Sequence, residues 1–182
     1  MKNLLIDIQV ATKCKTIPTT KEINQWVVAA LAHTDALAHD NPELSIRFVD
    51  DSESAQLNTQ FRDKNGPTNV LSFPFVATDN IPIPLLGDIV ISAPTVEREA
   101  KEQNKLVTHH WAHMIIHGTL HLLGYDHVRS RDASVMEGLE TTIMTKLGLG
   151  NPYQQVHTGQ QAHTGQLPER GQAHPLQPPS CS

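Results

Sequence analysis

Cysteine is scarce: Cys14 and Cys181 are the only two in 182 residues, they form no CxxC pair, and they lie at opposite ends of the chain. That usage gives no basis for a disulfide framework and fits reduced, intracellular thiols. Long apolar runs are missing too. The longest, Trp26 to Ala32, falls far short of the roughly 20 residues that span a bilayer. Asp7 breaks the N-terminal apolar stretch and no small-residue cleavage site follows it. No signal peptide is expected, and the cytoplasm is the expected location. Basic charge is in deficit as well, with 14 Lys and Arg against 19 Asp and Glu, a net charge of −5. Glu169 and Arg170 cancel, so the excess lies in residues 1–150. The chain as a whole therefore has no attraction for polyanions, and any nucleic-acid contact must come from a local basic patch. Neither DNA nor a membrane is an expected partner.

What is present is one domain's worth of patterned sequence, with 38% hydrophobic and 18% charged residues, enough for a single core. Ile6, Ile8 and Val10 alternate within a half-buried strand over residues 4–10. Ile23, Trp26, Val27, Ala30 and Leu31 recur at helical spacing over residues 20–38, with Thr19 or Thr20 as N-cap. Leu44, Ile46 and Phe48 mark a second strand at 43–49. Asp50, Asp51 and Ser52 offer caps for a short helix through Ala55, Leu57 and Phe61. Residues 70–76 form a third strand, placed at an edge or strand end by Pro74, which has no amide hydrogen. Residues 86–92 form a fourth. Ser92 is then the expected N-cap of a helix with Pro94 in its first turn. A helix follows over 106–123, and a last one opens at Ser130 with Val135, Met136, Leu139, Ile143 and Leu147 as its apolar stripe. Mixed elements without regular βαβ alternation predict an α+β fold: one compact domain of about four strands in a small mixed sheet packed with about five helices. Residues 1–153 make up that domain. In residues 154–182 Gln, Gly, His and Pro dominate, His-Thr-Gly-Gln occurs at 157–160 and again at 163–166, and large apolar residues nearly vanish. Such a composition cannot offset its ordering entropy by burial, so a disordered low-complexity tail is expected. Its His157, His163 and His174 read as solvated before they read as chelators.

The most informative string is His117-Gly-Thr-Leu-His-Leu-Leu-Gly-Tyr-Asp-His127. Residues four apart on a helix differ by about 400° of rotation, so His117 and His121 stack on one face. Six more residues would rotate His127 to about 240° from His121 on the same straight helix. Gly124 resolves this, because glycine can take the left-handed conformation that ends a helix and turns the chain back. Three imidazoles with an open fourth position form the usual protein ligand set of a catalytic zinc, which lowers the pKa of bound water to about 7. The competing reading is an ordinary core helix, since Met114, Ile115, Ile116, Leu120, Leu122 and Leu123 flank the rings. A core helix, however, has no reason to gather three ionisable rings around a terminating glycine. The spacing also resembles the HExxHxxGxxH helix of metzincin-type proteases, but Gly118 stands where their glutamate general base would be.

Longer segments carry a second resemblance. His110-Trp-Ala-His-Met-Ile-Ile-His-Gly-Thr-Leu-His-Leu-Leu-Gly-Tyr-Asp-His127 is similar to the signature of the YbeY endoribonuclease family, bacterial rRNA maturation factors. So are Leu57-Asn58…Phe61-Arg62-Asp-Lys64…Pro67-Thr-Asn-Val-Leu-Ser-Phe-Pro-Phe75, Leu86-Gly-Asp-Ile-Val-Ile-Ser92, and Met136-Glu…Leu139-Glu…Ile143-Met…Leu147-Gly148. The resemblance implies a zinc-dependent, single-strand-specific endoribonuclease of small-subunit (16S) rRNA 3′-end maturation and ribosome quality control. Single-stranded rRNA and the small subunit with its associated proteins are then the partners. One Zn²⁺ per chain would be held by His117, His121 and His127 in a cleft at a helix C-terminus, and the family's functionally important arginine falls on Arg62.

Taken alone, Arg62 reads first as a surface ion-pair partner of Asp63. The resemblance assigns it to the transferring phosphate, where a planar guanidinium can grip two oxygens and stabilise developing charge. Lys64 and His113 are weaker candidates for substrate contact. His110 shares the His113 face, and both also suit hydrogen-bonded core positions. Asp126 is a candidate to orient a ligand ring, or only a turn residue. The basic stretch 128–132 and the tail depart from the family pattern. Two other readings stand beside the nuclease: a non-catalytic ribosome-assembly factor in which zinc pins a helix end, and a degenerate zincin-like metalloprotease.

Overall fold

The computed structural model describes residues 4–33, 41–76, 84–126 and 130–154. Along the chain run β1 (Leu5–Ala11), α1 (Thr20–Leu31), β2 (Glu43–Val49), α2 (Asp51–Arg62), β3 (Val70–Pro74), β4 (Leu85–Ser92), α3 (Ala93–Glu102), α4 (Val107–Leu122) and α5 (Ser130–Lys146). The four strands form one mixed sheet in the order β1-β2-β4-β3. β1 and β4 run parallel to β2, while β3 runs antiparallel to β4 at the edge. The expected α+β architecture is the one observed.

Period-two burial explains the layers. Leu44, Ile46 and Phe48 of β2 and Ile89 and Ile91 of β4 are fully buried in the main core beneath α1 and α4. The alternate residues Val49, Leu71 and Val90 join Leu57 and Phe73 in a smaller cluster under α2. Burying each such aliphatic side chain contributes about 1.5–3 kcal/mol before entropy is counted. α4 is the central helix. Trp111, Ala112, Ile115, Ile116 and Leu120 are buried on several of its faces, as a helix apolar all round should be, and Trp111 meets Phe48 edge-on at 5.4 Å.

Several local expectations are refined. Thr19 caps α1 through a reciprocal capping box, with the Thr19 amide donating to the Glu22 carboxylate at 2.8 Å. Ser92 does precede α3, but its hydroxyl donates to Asp51 at 2.6 Å instead of capping. Asp51 also collects Thr95 and Arg98, so this serine joins α2 to α3. Asp50 likewise caps α2 without a side-chain bond and accepts from Thr12. Val10 and Val135, placed by periodicity on inward faces, are 58% and 51% exposed: Val10 nears the end of an edge strand, and Val135 lies on the solvent-exposed side of α5. α1 ends at Leu31 rather than at residue 38, and residues 34–40 lie outside the described set. β3 stops at Pro74, where Gly87 closes the pairing at φ +134°. A Cβ on Gly87 would sit 2.2 Å from the Phe73 carbonyl oxygen, so only glycine fits there. His127 and residues 155–182, with His157, His163 and His174, also lie outside the described residues.

Candidate metal centre and cleft

The C-terminus of α4 ends as its glycine requires. Gly124 has φ +87°, its amide donates to the His121 carbonyl at 3.0 Å, and the Tyr125 amide donates to the Leu120 carbonyl at 3.1 Å. This pairing turns the chain out of the helix immediately after the histidines. One turn apart, His117 and His121 meet through their Nε2 atoms at 3.1 Å, with ring planes at 81°. Two nitrogens bound to one ion at about 2.0–2.1 Å stand about 3–3.5 Å apart. The donor pair therefore fits a small cation.

Behind His117 lies a side chain on α5. His117 Nδ1 is 2.6 Å from Glu140 Oε1, and His113 Nε2 is 3.1 Å from Glu140 Oε2. Tyr153 donates its hydroxyl to the same Oε2. Glu140 is fully buried. Burial opposes its ionisation, but the hydrogen bonds from His113 and His117 outweigh that and take it from 4.5 down to about 2. Burial holds His113 below its ordinary value, against the pull of Glu140. Burial and the bond to Glu140 push the Tyr153 phenol up. A charged, fully buried carboxylate thus rests on three side-chain donors, as a buried charge must.

His113, His117 and Glu140 bring one possible ligand atom each within 4.8 Å of one another, so this cluster could hold a metal. The carboxylate distances inside it are hydrogen-bond distances, and they consume the Nδ1 side of His117. Its Nε2 side faces His121.

Arg62 comes from the other face of the sheet. It ends α2, and the next residue, Asp63, turns left-handed at φ 55°. The loop that follows is tied back to α2: Ser54 donates to the Thr68 carbonyl at 2.7 Å, and Asn58 donates to the Gly66 carbonyl at 2.9 Å. Asn69 then donates to Glu99, which also pairs with His110 Nε2 at 2.8 Å. Among the described residues Arg62 makes no salt bridge with Asp63 or any other acid. It lines a cavity of about 330 Å³ together with Ser72, His117, His121, Glu140 and Tyr153. An adjoining cavity of about 540 Å³ shares Arg62, Ser72 and His121 and adds Lys64, Tyr125 and Asp126. The cleft thus gathers Arg62, Lys64, His117 and His121. His113 and His110 are buried and line a separate cavity beyond the cleft wall. Sequence reasoning assigned no role to Glu140 or Tyr153. The available signal was a carboxylate at a core position, because Glu140 shares a face with Met136, Ile143 and Leu147 on α5.

Gly118 has a steric reason. A Cβ there would lie 2.9 Å from Ile89 Cγ2 and 3.3 Å from the Ser72 hydroxyl, which itself donates to the Gly118 carbonyl. The protease glutamate has no room. Gly118→Glu is expected to destabilise the fold by about 2 kcal/mol or more through overpacking and to yield no peptidase activity. A melting curve and a casein assay check both.

The profile described as Endoribonuclease YbeY matches residues 7–148 of the chain. The chain belongs to the YbeY endoribonuclease family. Endoribonuclease YbeY of Colwellia psychrerythraea (strain 34H / ATCC BAA-681) is 49% identical over 149 residues, covering 82% of this chain and 96% of that relative. The solution structure of TM1509 from Thermotoga maritima shares the fold, with a TM-score of 0.51 at 23% identity over 86% of this chain and all of the other. Membership in the YbeY family makes the chain an endoribonuclease, a hydrolase with RNA as substrate. No helix among the described residues is long and apolar enough to cross a membrane.

Proposed function

We propose that this YbeY-family chain is a zinc-dependent, single-strand-specific endoribonuclease acting in small-subunit rRNA 3′-end maturation and ribosome quality control, in the cytoplasm and with the ribosomal small subunit and its proteins as partners. One observation supports this most directly: Arg62, from α2, lines the same cavity as the paired Nε2 atoms of His117 and His121, from α4. A cation site and an arginine that has no acidic partner among the described residues are what a phosphodiester requires.

His117 and His121, with His127 as third ligand, would hold the zinc. When bound, such an ion supplies Lewis acidity and an activated nucleophile at neutral pH. The chain's own residues do the rest. The Arg62 guanidinium takes two non-bridging phosphate oxygens in its fork and so sets the phosphate's orientation. It stays in contact as charge builds on phosphorus, so its contribution grows toward the transition state. Lys64, in the adjoining cavity, attracts the neighbouring phosphate. A recessed cavity suits an unpaired strand that can turn a phosphate inward, which a stacked A-form duplex does not do. The net charge of −5 leaves little sequence-independent affinity for RNA, consistent with a need for partners to deliver it.

The test is cleavage of an rRNA 3′ precursor, single-stranded and annealed to its complement, before chelation, after chelation and after zinc is restored. Cutting of the single strand alone, lost on chelation and recovered with zinc, is expected. Cleavage that persists in a zinc-free preparation contradicts the reading.

A further inference from the structure

Resting on the metal reading above, we propose that Glu140, anchored by Tyr153, is the positioning carboxylate of the metal centre: it fixes the His117 ring so that Nε2 points at the ion, and it is not itself a ligand. The geometry separates the two sides of that ring. Nδ1 is 2.6 Å from Glu140 Oε1, while Nε2 is 3.1 Å from His121 Nε2. A carboxylate can only accept, so the proton sits on Nδ1 and the lone pair sits on Nε2. The imidazole is thereby held in its metal-binding tautomer and orientation.

Glu140 is held in turn. Its second oxygen accepts from His113 Nε2 and from the Tyr153 hydroxyl. The Tyr153 ring stands edge-on to His113 at 5.4 Å. Tyr153 belongs to the segment that follows α5, and that segment makes two further hydrogen bonds, one within itself and one that ties it to Lys105. The Tyr153 amide donates to Asn151 Oδ1 at 2.9 Å, and Lys105 donates to the Pro152 carbonyl at 2.5 Å. The strap is half-exposed at Tyr153, yet its hydroxyl reaches a fully buried carboxylate. No single helix holds this arrangement: α4 supplies the rings, α5 the acid and the strap the clamp.

Glutamine is the discriminating substitution. Its amide nitrogen can only donate, so one of His113 Nε2 and His117 Nδ1 loses its acceptor. If His117 gives way, its proton moves to Nε2 and the metal-binding lone pair is lost. The readout is zinc affinity, by competition with a chromophoric chelator, alongside the melting temperature of the zinc-free chain. Glu140→Gln is expected to bind zinc about 10–100-fold more weakly while still binding one ion. Tyr153→Phe keeps the ring and is expected to weaken affinity a few-fold with little change in melting. Should Glu140→Gln fail to fold, Tyr153→Phe carries the test alone. A lower melting temperature with unchanged affinity in both variants would overturn the proposal, leaving Glu140 a structural residue only. Loss of zinc as complete as in His121→Ala would also overturn it, by making Glu140 a ligand. A wild-type chain that takes up no zinc would instead sink the metal reading on which this rests.

Discussion

Replacing His121 with alanine is expected to take bound zinc from one per chain to none, with the fold intact and RNA cleavage reduced to background. The side chain stands on the last turn of α4, facing the cleft. Alanine is the strongest helix former, so the helix itself loses nothing. What disappears is one half of the Nε2 pair at 3.1 Å. The surviving ligands must then hold an ion with one protein donor fewer and a wider opening to water, in a site that ordinarily uses three. Elemental analysis after gel filtration, with a melting curve on the same sample, measures both parts. Stoichiometric zinc in the purified variant would show that the ion sits elsewhere.

Arg62→Ala is expected to lower cleavage about 10²–10³-fold, about 2.7–4 kcal/mol of transition-state stabilisation, with zinc content and melting temperature unchanged. Separating chemistry from folding is possible because Arg62 is exposed at a helix end and makes no salt bridge among the described residues. The loss should fall mainly on kcat, since the contact strengthens as charge develops on the phosphate. Arg62→Lys should recover only part of the rate: an ammonium supplies the charge but not the planar fork. Single-turnover cleavage of the single-stranded precursor by the three proteins settles the order. A variant as fast as wild type with full zinc would remove Arg62 from the chemistry.

Much of this architecture is legible in the sequence, for physical reasons. Leu44, Ile46 and Phe48 alternate because one face of β2 meets a core, and period two survives wherever burial is one-sided. Pro74 announces an edge strand because it has no amide to share, and β3 is that edge. The stacking of His117 on His121 follows from helix geometry alone, and Gly124 ends α4 in the conformation that only glycine adopts freely. Other features could not be read locally. Ser92 sits where a cap belongs, but a carboxylate distant in sequence, Asp51, takes its hydroxyl. Glu140 lies 23 residues from His117, its partner, and no spacing rule links two helices. The cleft itself joins the end of α2 to the end of α4 around the edge strand, a relation set by sheet order. At Gly118 the sequence shows only that a glutamate is missing. Its packing against Ile89 supplies the cause.

In the proposed site the ion sits on the cleft side of His117. Anomalous diffraction at the zinc edge from crystals of the zinc-loaded protein tests it most directly. One peak per chain is expected about 2.0–2.1 Å from Nε2 of both His117 and His121, with His127 as the third ligand and Arg62 opening onto the same space. A peak bonded instead to His113 Nε2, His117 Nδ1 and the Glu140 carboxylate, or no peak at all, would contradict it.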